Sequence, residues 1–187
     1  MPHPSKSAVY LAQLVEVIKA LDVGEIDAFI ELLETARKSR RHIFVMGNGG
    51  SAATAMHLVG DLMKAASRGK TPRFRAICLS DNLPTLMAYA NDVSYESVFV
   101  EPLTNLMEPG DLVVGISASG NSANVLRAVE YANANGGVTV GLSGHSGGRL
   151  KQLVAHRVHV NADDMRKVED VHMIVTHVVA QALSQKD

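Results

Sequence analysis

The feature that most constrains the fold is a regular alternation of short apolar runs with longer segments of helical spacing. Five runs have the length and residue types of buried strands, at residues 42–47, 75–80, 112–117, 138–143 and the shorter 156–160. Helical spacing lies between and after them, at residues 51–66, 83–90, 95–107, 122–134 and 165–183. Strands that alternate with helices predict right-handed crossovers. The sequence therefore predicts an α/β fold with a five-stranded parallel sheet flanked by helices, doubly wound like flavodoxin.

Two more helical patterns precede the first strand. Apolar residues recur at three- and four-residue spacing over residues 8–21 and again over residues 26–36. We therefore divide the chain into an N-terminal helical segment, residues 1–40, and a single α/β domain, residues 41–187. Ligands of doubly wound sheets bind beyond the carboxyl ends of the strands. The loops that should lie along that edge are residues 47–51, 80–81, 117–122 and 143–148.

Composition narrows the class of protein. Hydrophobic residues make up 47% of the 187 residues, which is enough for a folded core. A net charge of −1 argues against nucleic acid as the main partner. No apolar stretch approaches the roughly 20 residues that a membrane span needs, and no signal peptide is apparent. The single cysteine, Cys78, cannot form an internal disulfide. We expect a cytoplasmic protein that binds neither membranes nor nucleic acid.

The first glycine-rich loop, GNGGSAA, begins at Gly47, and its spacing fits the dinucleotide fingerprint G-x-G-x-x-A. A dinucleotide site also requires an acidic residue about 20 residues later. That interval, residues 64–75, contains basic residues and no acidic one. We therefore expect no nucleotide cofactor. Instead, Gly49, Gly50 and Ser51 should present backbone N–H groups and a hydroxyl to a smaller ligand.

The loop after the third strand carries the most chemical information. Within GISASGNSANVL, residues 115–126, three hydroxyls come from Ser117, Ser119 and Ser122. Gly120 allows a close backbone approach, and a helix begins directly afterwards. Hydroxyls and free N–H groups at a helix N-terminus form an anion site, and the absence of lysine or arginine favours a single phosphate. The alternative is an ordinary strand–helix turn in which Ser122 caps the helix.

Ionisable side chains cluster on two of the predicted helices. His57 and Asp61 are four residues apart and share one face of the first-loop helix. The last helix carries four more such residues, which are Glu169, Asp170, His172 and His177. Taken singly, each fits a solvated stripe of histidine–carboxylate pairs. Together, the two helices favour a functional site.

These motifs resemble those of the SIS (sugar isomerase) domain proteins, and most closely the phosphoheptose isomerases. The resemblance runs from about residue 41 to residue 183. It rests on GNGGSAA at Gly47, AMH at Ala55, YAND at Tyr89, PGDLVVGISASGNSANVL at Pro109, LSGHSGG at Leu142 and KVEDVHMIVTH at Lys167. The resemblance implies an enzyme that interconverts sedoheptulose 7-phosphate and a heptose 7-phosphate through an enediol.

The resemblance also implies roles for particular residues. The serine loop would bind the phosphate, with Ser51 nearby. Asn48 and Asp92 would contact the sugar, together with the adjoining glycines and Glu169. Asp61 would act as the catalytic base and His177 as its acid/base partner.

Some members of the family bind zinc, and the matching positions define a predicted metal site with one ion per subunit. These positions are His57, Asp61, Glu169 and His177. Asp61 replaces the family's glutamate and Glu169 replaces its glutamine, while Gly60 stands where an acidic residue is common. A shorter carboxylate is a less favourable base, because small displacements of catalytic groups are costly. Two histidines and two carboxylates nevertheless form a reasonable zinc shell. A purely structural cluster of histidines and acids is the alternative.

The resemblance leaves other functions open. Some related SIS proteins are tetrameric adaptors that bind a replication initiator and have lost the catalytic carboxylate. An isomerase of a different sugar phosphate is the third possibility. In each case the N-terminal helices should pack on the domain and form a homotetramer interface, with sites shared between chains.

Overall fold

A parallel sheet of five strands forms the centre of the chain, of which the computed structural model describes residues 5–185. The ends of the two predicted segments, residues 1–4 and 186–187, lie outside this range. The strands are β1 (His42–Gly47), β2 (Arg75–Cys78), β3 (Leu112–Ser117), β4 (Val138–Ser143) and β5 (His156–His159). Their order is β2-β1-β3-β4-β5, and every neighbouring pair is parallel. This order confirms the predicted doubly wound, flavodoxin-like sheet.

Eight α-helices surround the sheet in the described part of the chain. They are α1 (Lys6–Lys19), α2 (Val23–Lys38), α3 (Gly49–Met63), α4 (Leu83–Asp92), α5 (Val100–Leu106), α6 (Ala123–Ala134), α7 (Leu150–Leu153) and α8 (Met165–Ser184). Among residues 5–185, no helix combines the length and the hydropathy that a membrane crossing requires.

Two apolar layers cover the two faces of the sheet. On β1, Ile43 and Val45 point into a core shared with α2, α3 and α8. The alternate residues, Phe44 and Met46, point into a second core shared with α5, α6 and α7. All four side chains are fully buried, as expected for a strand covered on both faces.

The two N-terminal helices differ in how deeply they are buried. Helix α2 packs Ile26, Phe29 and Leu33 into the first core. Helix α1 has no buried residue, although part of its apolar face contacts that core. Three of its large apolar side chains are exposed, Val9, Leu11 and Val15. The role of these helices at an oligomer interface stays a prediction.

Several predicted boundaries need correction. The helix predicted at residues 95–107 is two elements, a 3₁₀ turn at Tyr95–Ser97 and α5. Pro102 explains the break, because a continuous helix would need its missing N–H for the carbonyl of Val98. Helix α7 was not predicted, since four residues are too few for a periodic pattern. Helix α3 begins two residues earlier than predicted and ends three residues earlier, while β2 and β5 are shorter.

The carboxyl ends of β1, β3 and β4 reach the same level. Gly47 is in register with Ile116, and Ser117 is in register with Ser143. The glycine-rich and serine-rich loops therefore lie side by side where the strand order reverses.

Candidate active site

The three serines of the β3–α6 loop converge. The Ser117 hydroxyl lies 2.9 Å from the Ser122 hydroxyl and 3.4 Å from the Ser119 hydroxyl. Ser117 is buried, whereas Ser119 and Ser122 are partly exposed. The predicted serine loop is therefore a compact hydroxyl cluster at the carboxyl edge of the sheet.

The side chains at the starts of two helices in this region do not cap them. Asn48 and Ser122 occupy the N-cap positions of α3 and α6, and neither makes a side-chain capping bond. The N-cap side chains of four other helices do accept backbone N–H groups, at Ser5, Asp22, Asn82 and Asp164. A helix N-terminus without a cap keeps N–H donors available for a ligand. This contrast argues against the simple turn in which Ser122 serves only as a cap.

The serine loop packs directly on the β4–α7 loop, backbone against backbone. Gly120 has a φ of +66°, and a Cβ built there would lie 2.0 Å from the carbonyl oxygen of Gly147. The Leu150 N–H donates to the Gly120 carbonyl at 2.9 Å. Only glycine fits at this position, because both the positive φ and the close contact exclude a side chain.

Asn48 is held by side chains from two other elements. Its carboxamide makes a reciprocal pair of hydrogen bonds with Asn124 on α6, each of 2.9 Å. The Tyr95 hydroxyl donates to Asn48 Oδ1 at 2.8 Å. Asn48 and Tyr95 also line a cavity of about 260 Å³ between the first loop and α4.

His57, Asp61 and His177 come together between α3 and α8. His57 Nε2 lies 3.3 Å from Asp61 Oδ2 and 2.9 Å from His177 Nε2. The two histidines are exposed and Asp61 is partly exposed, so the group is accessible. A hydrogen bond between the two Nε2 atoms requires a proton on one of them, because an unprotonated imidazole nitrogen is only an acceptor.

The ligand atoms of these three residues are close enough together to be candidate ligands of a single cation. They all lie within 4.8 Å of one another. Ligands at about 2.1 Å from a tetrahedral zinc ion are about 3.4 Å apart, close to the 2.9 and 3.3 Å separations measured here. Two imidazoles and one carboxylate are also a donor set that zinc accepts, with a fourth position left for water or substrate.

Glu169, the fourth predicted ligand, is not part of this group. Its carboxylate lies over Gly50 in the first turn of α3, where a Cβ built on the glycine would come within 2.7 Å of it. Glu169 precedes His177 by eight residues on α8, about 12 Å along the helix axis. Helices α3 and α8 therefore meet along one seam, with Gly50 and Glu169 at one end and His57 and His177 at the other.

The remaining predicted residues lie in different environments. Gly49 has a φ of +53° and is exposed, and Ser51 is buried in α3. Asp92 is the exposed last residue of α4, and it accepts a 2.7 Å hydrogen bond from Asn91. Within residues 5–185, Asp92 makes no hydrogen bond to another predicted site residue.

His172 on α8 is buried and belongs to the core rather than to the site. Its Nε2 faces the carbonyl oxygen of Ser143 at 3.3 Å, so Nε2 carries the proton. Its Nδ1 has no hydrogen-bond partner among the described residues. Burial lowers the pKa of the His172 imidazole from 6.5 to about 4. The neutral ring is therefore the form that the fold accommodates.

This burial predicts a loss of stability in acid. The unfolded chain takes up a proton at His172 below its ordinary pKa of 6.5, whereas the folded chain does so only near 4. The free energy of unfolding should thus fall as pH decreases between these values, by about 3 kcal/mol for this residue. Urea unfolding across that range at fixed protein concentration measures the slope. His172→Gln should reduce the slope of unfolding free energy against pH, whereas His156→Gln, at an exposed position, should not. Equal slopes in the wild type and both variants would contradict the prediction.

Asn124, Tyr95 and Ser80 were not identified from the sequence as site residues. Asn124 lies inside the serine motif GISASGNSANVL, and a polar residue next to the apolar residues of a predicted helix was the available signal. Ser80 bonds to both the N–H and the carbonyl of Gly47, at 3.1 and 2.8 Å, and secures the end of β1. Its partner is 33 residues away, so no local pattern indicates it.

These features define a doubly wound α/β protein whose candidate ligand site lies at the switch point of the sheet. The SIS domain family matches residues 8–144. A probable phosphoheptose isomerase of Thermoplasma acidophilum is 34% identical over 95% of this chain and 97% of its own length. The phosphoheptose isomerase of Geotalea daltonii is 38% identical over 87% and 84%. The solved phosphoheptose isomerase of Neisseria gonorrhoeae superposes with a TM-score of 0.86, at 27% identity over 95% of this chain and 96% of that one.

The chain belongs to the phosphoheptose isomerase family of SIS-domain proteins. The resemblance seen in the sequence motifs is thereby confirmed. The solved phosphoheptose isomerase of Francisella tularensis has the same fold, with a TM-score of 0.88 at 25% identity over 97% of both chains.

Proposed function

We propose that the protein is a phosphoheptose isomerase that interconverts sedoheptulose 7-phosphate and D-glycero-D-manno-heptose 7-phosphate. The observation that carries this proposal is the convergence of Asp61, His57 and His177, in a chain whose relatives are named phosphoheptose isomerases. Aldose–ketose isomerisation moves a proton between neighbouring carbons through an enediol. It needs a base and an acid but no redox cofactor.

Asp61 is the proposed base. It removes the proton next to the substrate carbonyl and returns it to the neighbouring carbon. His177 is the proposed acid, which moves protons between the two oxygens. His57 Nε2 lies 3.3 Å from Asp61 Oδ2 and 2.9 Å from His177 Nε2, so His57 orients both side chains. The proposed phosphate site is the hydroxyl cluster of Ser117, Ser119 and Ser122.

A zinc ion, one per subunit, would be held by His57, Asp61 and His177. When bound, it would supply positive charge that stabilises a negatively charged substrate oxygen. The two proposed roles of Asp61 compete, because a carboxylate that coordinates a cation is a weaker base. Glu169 was the fourth residue of the predicted metal site, but its carboxylate lies at Gly50, away from the other three, and this position favours a sugar contact instead.

The spacing along α3 supports sites shared between chains, as expected for the homotetramer that we propose. The hydrogen bonds of Asn48 and Asn124 join the starts of α3 and α6, next to the serines. Asp61 lies twelve residues beyond Gly49, about 18 Å along the axis. That distance exceeds the length of an extended seven-carbon sugar phosphate, so a second chain would have to supply the base. Apolar side chains available for such an interface are exposed at Val9, Leu11, Val15, Met56 and Met63.

A non-catalytic adaptor for a replication initiator is the second candidate. Adaptors of this type retain the glycine and serine loops but lose the catalytic carboxylate. The acid at position 61, beside two histidines, favours the enzyme. We also propose that the protein works in the cytoplasm, in keeping with its free and buried Cys78.

The function is tested by incubating purified protein with sedoheptulose 7-phosphate and identifying the product by NMR. We expect formation of the heptose 7-phosphate. Shorter ketose phosphates, such as ribulose 5-phosphate, serve as comparison substrates under the same conditions. Faster turnover of one of them would redirect the proposal to another sugar phosphate. Binding without turnover of any substrate would favour the adaptor.

The metal is tested on the same preparation. We expect about one zinc ion per chain by elemental analysis, and a lower content in His57→Gln. His156→Gln, an exposed histidine outside the cluster, should keep the ion. Turnover that survives complete chelation would remove zinc from the mechanism and leave His57 as an orienting group.

A further inference from the structure

The orientation of the Asn124 carboxamide is fixed by the backbone of its own helix. Asn124 is 2% exposed and lies in the first turn of α6. Its Oδ1 accepts the N–H of Val125 at 2.9 Å. A backbone N–H can only donate, so the atom of Asn124 that faces it must be the oxygen. The Nδ2 group of Asn124 therefore faces away from Val125, toward Asn48.

This fixed amide in turn fixes the amide of Asn48. Asn124 Nδ2 donates to Asn48 Oδ1, and Asn48 Nδ2 donates back to Asn124 Oδ1. The Tyr95 hydroxyl donates to the same Asn48 oxygen. Both lone pairs of Asn48 Oδ1 are then used. Within residues 5–185, the second N–H of Asn48 has no hydrogen-bond partner.

We propose that Asn124 and Tyr95 are positioning residues that hold Asn48 as a hydrogen-bond donor to an oxygen of the sugar. The inference rests on the proposed function, because it takes the sugar as the ligand of Asn48. The group recognised is an acceptor, such as the substrate carbonyl or the oxygen that becomes negative in the enediolate. A donor oriented before the substrate arrives loses little freedom on binding and stabilises developing charge.

The location of Asn48 is consistent with this role. It precedes α3 directly and does not cap that helix, although asparagine is among the best N-cap residues. Its side chain instead spans from Asn124 to Tyr95, beside the cavity of about 260 Å³ that Asn48 and Tyr95 line. Asn48 thus does not stabilise its own helix by capping, and its amide is oriented by other elements instead. This arrangement favours a role in binding.

Asn124→Asp is the most informative single substitution. Aspartate keeps the size of the side chain and the acceptor for the Val125 N–H, but its carboxylate cannot donate to Asn48 Oδ1. We expect kcat/KM to fall by about 10- to 100-fold, mainly through kcat, because the donor is misplaced. Because a buried carboxylate can prevent the variant from folding, Tyr95→Phe provides a second variant at an exposed residue. Tyr95→Phe removes one of the two hydrogen bonds to Asn48 Oδ1, and we expect kcat/KM to fall by about 3- to 10-fold.

A double-mutant cycle separates positioning from a structural effect. In an Asn48→Ala background no amide remains to be oriented. There, Tyr95→Phe and Asn124→Asp should each lower kcat/KM by less than about 2-fold. Equal losses in the wild-type and Asn48→Ala backgrounds would overturn the proposal. So would full kcat/KM in both single variants.

The cycle also distinguishes this inference from the proposed function. If the wild type bound sedoheptulose 7-phosphate but did not turn it over, only the proposed isomerase function would be refuted. The same cycle would then be measured on the Kd for that ligand by calorimetry. Non-additive losses in affinity would support the positioning role, and additive losses would refute it.

Discussion

Asp61→Asn should abolish turnover of sedoheptulose 7-phosphate. Asparagine has the shape of aspartate but can neither accept the substrate proton nor carry the charge that Asp61 presents 3.3 Å from His57 Nε2. Loss of a general base typically costs 10²- to 10⁴-fold, and we expect a fall in kcat of about 10³-fold. KM should change little, because the phosphate loop lies elsewhere on the chain. Steady-state kinetics with zinc content measured in parallel would test this.

Two further variants serve as controls for Asp61→Asn. Asp27→Asn removes an exposed acid from α2 and should leave kcat unchanged. Asp61→Glu restores the residue found in the family and should keep kcat within about 10-fold of the wild type. If Asp61→Asn retained a tenth or more of the turnover, another group would have to be the base.

Gly120→Ala should both destabilise the protein and weaken phosphate binding. The new methyl group would lie 2.0 Å from the Gly147 carbonyl oxygen, in a residue whose φ is +66°. The backbone of one loop would have to move, and the serine cluster moves with it. We expect the free energy of unfolding to fall by about 3 kcal/mol. The affinity for inorganic phosphate, measured by calorimetry, should fall at least about 10-fold.

Gly69→Ala is the matched control for this substitution. Gly69 also has a positive φ, +79°, but no atom lies within 4 Å of a Cβ built there. Gly69→Ala should lower the free energy of unfolding by only about 1 kcal/mol, because alanine disfavours a positive φ, and it should keep its phosphate affinity. Similar losses in the two variants would show that φ alone, and not contact between the loops, makes Gly120 necessary.

The regular parts of the fold could be predicted from the sequence because their causes are local. The bounds of β1, β3 and β4 agree with the apolar runs, each of which begins after polar or glycine residues. The segment at 95–107 failed because its helical spacing continues through Pro102, which interrupts the backbone bonding without disturbing the pattern.

From residue patterns alone, the site was predictable only where its members are neighbours in the chain, whereas the meeting of His57 and Asp61 with His177 was predicted from the resemblance. The convergence of Ser117, Ser119 and Ser122 follows from one short loop before a helix. The pairing of Asn48 with Asn124 joins residues 76 positions apart, and no periodicity encodes it. Similarly, the contact of Gly50 with Glu169 depends on how α8 packs, which the resemblance did not specify.

The contact between His57 and His177 has a consequence for how the protein matures. It links positions separated by 120 residues, and α8 contributes its half. The segments that form β1, β3 and β4 leave the ribosome before α8, but the histidine pair cannot assemble until α8 has been synthesised. Contacts of such long range form late, because closing the intervening loop costs entropy. A nascent or truncated chain without α8 would therefore contain the residues of the serine loop but lack the histidine pair, and the side of the first core that α8 covers would stay open.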